Sequence, residues 1–222
     1  MKTYGTFVAS SLLAALALMP SAADAAQGDG HWYATGTLGA AFSSSQTLDY
    51  SSPAGAASAS ASFDPGLLAG GAVGYAFSPS WRVEGEFIYQ SVEHDGVDLA
   101  GIGSLPSGNY ASTGLALNGF YSFNAFGSDK VRTYIGAGLV WLTEVDIDFE
   151  RGGNELSYSG DGFGVQLLAG ARYELGERWF VDAGVRYLTA GEVELDGEGA
   201  TDGRIEADYE PWAATLSVGW RF

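Results

Sequence analysis

The charged residues that could do chemistry lie in alternating runs rather than in a catalytic motif. Arginines and carboxylates occupy every second position of several segments, which would place them on one side of a β-strand. The set comprises Arg82, Glu84, Glu86, Arg132, Arg172, Glu174, Asp182, Arg186 and Arg221. Guanidinium and carboxylate groups form charge-assisted hydrogen bonds, so these residues predict a network of ion pairs. Such a network either seals a narrow interior or acts as a gate.

Residues suited to nucleophilic catalysis are scarce. The chain has two histidines, His31 and His94, and no cysteine. Ser91 and Asp95 lie near His94 in the sequence. A triad also needs a positioned third member and an oxyanion site, and adjacent residues of a loop rarely provide that geometry. The sequence therefore predicts no enzyme, no catalytic residue and no cofactor.

The charge balance excludes one class of partner. Acidic residues outnumber basic ones 27 to 10, and the net charge is −17. A nucleic-acid binder needs a basic footprint, so we expect no nucleic-acid partner. The same charge argues against electrostatic docking onto an anionic lipid surface.

The first 25 residues resemble an export signal. Lys2 is followed by an apolar run from Gly5 to Met19 and then by the small-residue stretch Ser21–Ala26, in which Ala23-Asp24-Ala25 fits the small-x-small cleavage pattern. This pattern predicts a cleavable signal peptide over 1–25, removed near Ala25. Residues 26–222 are then one domain.

The elements that must position the charged residues are visible in the period of two along the chain. On one face, the final segment carries Trp212, Ala214, Leu216, Val218, Trp220 and Phe222. The same alternation holds in 63–78, 81–92, 110–124, 131–148, 162–175 and 178–190, and more weakly in 31–42. Eight such segments, with aromatics near both ends of the apolar face, predict an all-β fold: a closed antiparallel eight-stranded transmembrane β-barrel. On this pattern Phe63 and Val145 face lipid, and Glu144 faces the interior.

A secreted β-sandwich or lipocalin-like barrel is the competing interpretation, with the apolar face turned inward. The polar face is rich in Gly, Arg and Glu, whereas nearly all strand aromatics share the other face. This distribution favours the membrane barrel. Because open aqueous barrels need about 16 strands, an eight-stranded interior predicts that the ion pairs seal the lumen.

Short and long connections alternate along the chain. The links at 78–80, 125–130 and 176–177 are short, and those at 43–62, 93–109, 149–160 and 191–208 are long. Bacterial barrels place short turns in the periplasm and long loops outside. The first long link is rich in Ser and Ala, which predicts a flexible exposed loop.

The third and fourth long links are acidic. They contain Asp146, Asp148, Glu150, Glu155, Glu192, Glu194, Asp196, Glu198, Asp202, Glu206, Asp208 and Glu210. Solvated, mutually repelling carboxylates explain such runs, and the spacing fits no calcium-binding loop, so we predict no metal site. Bridging to lipopolysaccharide phosphates through divalent cations stays open as an alternative.

Several motifs resemble a known family. They are Gly74–Ser78, Trp81–Phe87, Leu117–Phe123, Tyr134–Leu139, Phe180–Tyr187 and the terminal Gly219–Phe222. Together they resemble the small eight-stranded outer-membrane barrels of the opacity-protein and OmpA type. The resemblance implies a place in the bacterial outer membrane, among its lipid and lipopolysaccharide. It also implies that Trp220 and Phe222 form the signal read by the barrel-assembly machinery.

The function that the resemblance implies is broad. We expect a surface-exposed protein with a structural or adhesive role, acting through four outer loops on an unidentified host or surface ligand. A narrow channel for small solutes is the alternative, and an outer-membrane hydrolase is a third possibility.

Overall fold

The computed structural model describes residues 30–43, 46–52, 55–61, 63–94, 97–99, 103–105, 108–151, 154–197 and 203–222. The predicted signal segment 1–25 and Asp95 lie outside these residues, as does the side chain of His94. The described residues form fourteen strands: β1 (His31–Phe42), β2 (Gln46–Ser52), β3 (Gly55–Ala61), β4 (Gly66–Ala76), β5 (Trp81–His94), β6 (Val97–Leu99), β7 (Gly103–Leu105), β8 (Gly108–Phe123), β9 (Val131–Arg151), β10 (Asn154–Glu174), β11 (Trp179–Thr189), β12 (Gly191–Gly197), β13 (Arg204–Tyr209) and β14 (Trp212–Arg221). None of the described residues form a helix long and apolar enough to cross a membrane.

Eight of these strands close into a barrel. β1 pairs antiparallel with both β4 and β14, and β11 pairs with both β10 and β14. Strands β5, β8 and β9 complete the ring between β4 and β10. Closure gives every barrel strand two neighbours, so the backbone N–H and C=O groups are satisfied without water. The predicted eight-stranded antiparallel barrel is confirmed.

The outer wall of the barrel is apolar. Leu38, Leu117, Leu139 and Leu167 are each more than 60% exposed, at 63, 62, 67 and 61%. Side chains this apolar and this exposed on a continuous surface need lipid rather than water around them. These leucines therefore face lipid, as the alternation in the sequence predicted.

The long connections are mostly continuations of the barrel strands rather than loops. β2 and β3 pair with each other beyond β1 and β4, and β12 and β13 do so beyond β11 and β14. β9 and β10 continue as one hairpin, in which Arg151 pairs with Asn154. β13 also pairs with β2, and β12 with β10. We call this upper sheet, formed by β2, β3, β12, β13 and the distal parts of β9 and β10, the extension.

The described part of the Ser- and Ala-rich first link is exposed as predicted, for example at Ser51 and Ser58, but it forms strands β2 and β3 rather than a loop. Ser and Ala are weak strand formers by themselves, and their small side chains gave no alternation to read. Backbone pairing with β13, which already belongs to the extended wall, holds β2 in the sheet. The short turns of bacterial barrels lie on the periplasmic side, and the extension is at the opposite end of this barrel from the short turns. The extension is therefore extracellular.

Two expected lipid-facing residues lie inside, and a β-bulge explains the first. Thr113 pairs with Glu144 but Gly114 pairs with Leu142, so Thr143 is an extra residue in β9. One extra residue reverses the alternation beyond it. Val145 is consequently buried inside, and Glu144 is exposed outside.

Phe63 is the second residue whose predicted direction is wrong. It precedes the start of β4 at Gly66, and Pro65 stands between them. Proline has no N–H to continue a strand ladder, so the phase of β4 does not extend back to Phe63. Its ring packs instead against the interior, with its centroid 5.6 Å from that of Tyr110.

Glycines on the inner wall make room for aromatic rings in the lower barrel. Phe180 is fully buried, and its ring lies against Gly219 on the neighbouring strand. A methyl group at Gly219 would overlap that ring. A large ring on one strand therefore occupies the space that a glycine leaves on the neighbouring strand.

We expect Gly219→Ala to destabilise the barrel by about 1–3 kcal/mol, because the added methyl overpacks Phe180. Gly85→Ala is the matched control, since a methyl there meets nothing within 4 Å. Urea unfolding of both refolded variants measures the difference. Equal unfolding midpoints for the two variants would contradict this packing account.

Candidate functional site in the lumen

A hydrogen-bonded group of four side chains crosses the middle of the lumen, and we call it the polar plug. Its members come from four strands: Glu86 from β5, Asn118 from β8, Gln166 from β10 and Arg186 from β11. Arg186 donates to Glu86 at 2.6 Å, and Asn118 donates to the other carboxylate oxygen at 2.8 Å. Gln166 donates to Asn118 at 2.6 Å. All four side chains are buried, so the charge pair is screened by neighbouring dipoles rather than by water.

Below the plug, arginines lie between aromatic rings. The Arg82 guanidinium carbon is 4.0 Å from the centre of the Phe120 ring and 4.5 Å from that of Tyr134. The corresponding distance from Arg172 to Phe180 is 3.6 Å. Stacking of this kind offsets part of the cost of burying a cation.

Carboxylates complete the coordination of these two arginines. Arg172 forms a bidentate pair with Asp182, with both donor–acceptor distances at 2.7 Å. Arg82 donates to Glu84 at 3.2 Å, and Tyr33 donates to the same carboxylate at 2.6 Å. The lower lumen is thus closed by a second layer of paired charges.

Two further arginines in the predicted set stand at the periplasmic mouth, and they differ. Arg221 donates to Glu174 at 2.6 Å. Arg132 has no carboxylate within 4.0 Å among the described residues, and it donates instead to the Pro79 carbonyl at 3.2 Å. Eight of the nine predicted residues are therefore paired with one another, and Arg132 stands outside the network. Trp220 and Phe222, the predicted assembly signal, have stacked rings with centroids 5.2 Å apart.

The space left in the lumen is unevenly distributed. A cavity of about 30 Å³ remains beside the plug, bordered by Thr37, Glu86 and Arg186. That is room for about one or two water molecules. A much larger cavity of about 880 Å³ opens at the periplasmic end, and we call it the vestibule.

Above the plug the interior changes from polar to apolar. Buried side chains from the upper barrel and the extension form one continuous group, which we call the apolar cluster. It comprises Ala41, Leu68, Ile88, Val92, Tyr110, Ala116, Val140, Leu142, Val145, Ile147, Tyr158, Leu188, Val193, Leu195, Ile205, Tyr209 and Ala213. Tyr209 hydrogen-bonds Ser112 at 2.5 Å, and burial raises the pKa of Tyr209 to about 12. The phenol therefore stays neutral at physiological pH.

The outer face of the extension carries carboxylates in adjacent positions. Glu194 pairs by register with Glu206, and Glu206 with Asp49. Arg204 balances part of this charge through contacts of 2.8 Å to Glu194 and 3.0 Å to Asp196. Within the described ranges, no three His, Cys, Asp or Glu residues are grouped so as to hold a metal ion.

Several contributors to the lumen were not among the predicted site residues. Asn118 and Gln166 share the inward phase with the charged residues, but neutral amides carry no charge signal. Phe120 and Phe180 also occupy inward-facing positions. They were not recognised as lumen residues because apolar side chains were expected to face lipid. Neighbouring glycines such as Gly136 and Gly219 are the signal that could have identified these inward rings.

The geometry defines an integral membrane protein of a particular class: a closed eight-stranded barrel with an apolar outer wall and a filled interior. The chain belongs to the outer membrane protein beta-barrel domain family, whose sequence profile matches residues 11–222. The protein is therefore placed in the bacterial outer membrane, surrounded by lipid and lipopolysaccharide.

Individual relatives agree with this assignment. Outer membrane protein W of Salmonella typhi is 27% identical over 150 residues, covering 61% of this chain and 70% of that protein. Outer membrane protein W of Escherichia coli K12 is 28% identical over 152 residues, with the same coverage. The crystal structure of OprG from Pseudomonas aeruginosa superimposes with a TM-score of 0.65 at 19% identity, covering 88% of this chain and 97% of OprG. At that identity the structural likeness shows the fold alone.

We expect Glu86→Ala to destabilise the barrel by about 3–5 kcal/mol, because Arg186 is left buried without its counter-charge. The double variant Glu86→Ala/Arg186→Ala should lose less free energy of unfolding than the two single variants lose when their losses are added. Urea unfolding of the refolded proteins measures both quantities. Glu194→Ala is the control, since its pair with Arg204 is exposed, and it should leave the midpoint unchanged. A Glu86→Ala midpoint equal to that of Glu194→Ala would contradict the structural importance of the plug.

Proposed function

We propose that the protein is a sealed, non-enzymatic outer-membrane scaffold that acts through its extension, in a structural or adhesive role. The observation that carries the proposal is the plug, in which Glu86, Asn118, Gln166 and Arg186 bond to one another across the lumen. A polar solute or ion would have to break these bonds, because they join strands on opposite sides of the lumen and the cavity beside them measures about 30 Å³. The paired arginine–aromatic layer below is a second barrier.

The extension supports an interaction role. Its strands continue the barrel wall into the extracellular space, so its surface is held in place by backbone pairing rather than borne on free loops. The adjacent carboxylates of Asp49, Glu194 and Glu206 make that surface acidic. A cationic ligand, or one that arrives with divalent cations, suits it best. Assembly through the aromatic terminus at Trp220 and Phe222 belongs to the same proposal.

Planar-bilayer recording of the refolded protein tests the seal. We expect no steady conductance steps from the wild type, because the plug leaves no continuous aqueous path. Glu194→Ala serves as the control and should be equally silent. Glu86→Ala should also show no steady steps, because the arginine–aromatic layer below the plug remains as a second barrier. Stable, reproducible steps from the wild type would overturn the sealed-scaffold proposal in favour of a polar channel.

The apolar cluster favours one form of the channel alternative. An interior lined by Leu68, Val140, Leu142 and similar residues from the plug upward could admit a small apolar solute from outside. The charged plug would stop such a solute from continuing to the periplasm, because leaving the apolar cluster for buried ion pairs is unfavourable.

Toluene is a suitable probe for this second candidate. If the cluster admits apolar solutes, toluene should raise the urea midpoint of the wild type in a saturable manner. Val140→Phe, which adds a larger side chain inside the cluster, should abolish the shift. Leu139→Phe should preserve it, because Leu139 is 67% exposed to lipid. A wild type whose midpoint does not respond would exclude this candidate.

A further inference from the structure

The vestibule collects arginines at the periplasmic end of a strongly acidic protein. Its walls include Arg132 near the start of β9, Arg178 before β11, and Arg221 at the end of β14. Arg172 also borders the cavity, from its inner, lumen side. The volume of about 880 Å³ is within the range that accommodates small molecules.

Two of these arginines are neutralised by the protein, and two are not. Arg172 is held by Asp182 and Arg221 by Glu174, as described above. In the part of the chain that the structure describes, Arg132 and Arg178 have no carboxylate within 4.0 Å, the C-terminal carboxylate included. Each guanidinium therefore retains donors that face no anion of this chain.

Arg132 stands in an unusual electrostatic position. It is directly opposite Arg172 in the β9–β10 ladder, and like charges facing each other across a strand pair are destabilising. It is also half-buried. Of the acidic side chains that line the vestibule, Asp129 and Glu177 are exposed to solvent, and Glu174 is already paired with Arg221. Water screens Asp129 and Glu177 more than it screens Arg132, so the deeper part of the wall favours an anion.

We propose that the vestibule is an oxyanion-binding site, in which Arg132 and Arg178 bind a phosphate or carboxylate group from the periplasmic side. A planar guanidinium presents two parallel N–H donors to two oxygens of either group. The anion supplies Arg132 with the counter-charge that the described part of the chain does not provide, whereas Arg172 already has Asp182. The group belongs either to a free periplasmic anion or to a phospholipid headgroup of the inner leaflet.

Calorimetric titration of inorganic phosphate into the refolded protein in phosphatidylcholine nanodiscs tests the proposal. We expect saturable binding to the wild type and at least tenfold weaker binding to Arg132→Gln and Arg178→Gln. Arg204→Gln is the matched control, because it removes the same charge at the extracellular end. The net charge of −17 disfavours non-specific anion adsorption, so a saturable signal reports a specific site.

Stability provides a second readout that a purely structural arginine would not give. Phosphate should raise the urea midpoint of the wild type but not that of Arg132→Gln. Without phosphate, Arg132→Gln should be at least as stable as the wild type, since it removes an opposed like charge. No saturable binding of phosphate or of succinate to the wild type would overturn the proposal, and so would an equal loss of binding in Arg204→Gln.

The source of the anion follows from the same titration with phosphatidylglycerol added to the nanodiscs. Weaker apparent phosphate binding to the wild type, with no change in Arg132→Gln, identifies a lipid headgroup as the competitor. Unchanged binding identifies a free anion. Both results support the site and distinguish its two sources.

Discussion

The structure depends on one constraint: charges in an eight-stranded lumen must find their partners among the protein's own side chains. The barrel is too narrow for a water column, so an unpaired ion there costs several kcal/mol. The chain meets this constraint by placing a carboxylate within reach of each paired arginine: on the same strand for Arg82 and Glu84, on the adjacent strand for Arg172 and Asp182, and across the lumen for Arg186 and Glu86. Amides and aromatic faces complete the contacts where a carboxylate is not enough. The ion pairs therefore specify the register of the strands. If β11 slipped by one residue, Asp182 would be separated from Arg172 and Arg186 from Glu86 at the same time.

The polarity of the wall reverses along the barrel axis. Within the membrane the wall is apolar outside and polar inside, as shown by Leu139 and Gln166. In the extension it is apolar inside and acidic outside, as in an ordinary water-soluble β-protein, with Leu195 buried and Glu194 exposed. One continuous set of strands thus serves two solvents, and the apolar cluster begins in the upper barrel before the extension leaves the bilayer. The plug lies below this change, which keeps its ion pairs away from the external water.

The sequence predicted the membrane portion well because alternation is directly tied to the side of the wall. Strand number, closure and the lipid-facing leucines all followed from the period of two. Phe63 and Val145 were misassigned because Pro65 and the extra residue Thr143 change the phase without altering composition. The extension was missed for two reasons. β2 and β3 are rich in Ser and Ala and are held by backbone pairing with distant segments, and the alternation of Glu194 with Val193 and Leu195 in β12 was assigned to an acidic loop. Individual ion partners, and the exclusion of Arg132 from them, depend on register, and register between distant strands cannot be read from one segment at a time.

The join between the first and last barrel strands has a mechanical consequence. β1 and β14 are paired over ten residues, and β2 and β13 add four more pairs on the same line. The first and last strands of a closed barrel are joined by hydrogen bonds alone, because no turn connects them. Their junction is therefore the weakest place in the ring. Here that line of backbone bonds continues beyond the bilayer into the extension. A force applied at the cell surface therefore acts first on the β2–β13 pairs outside the membrane. The β1–β14 pairs, which close the barrel within the bilayer, come under that force only after the outer pairs have broken.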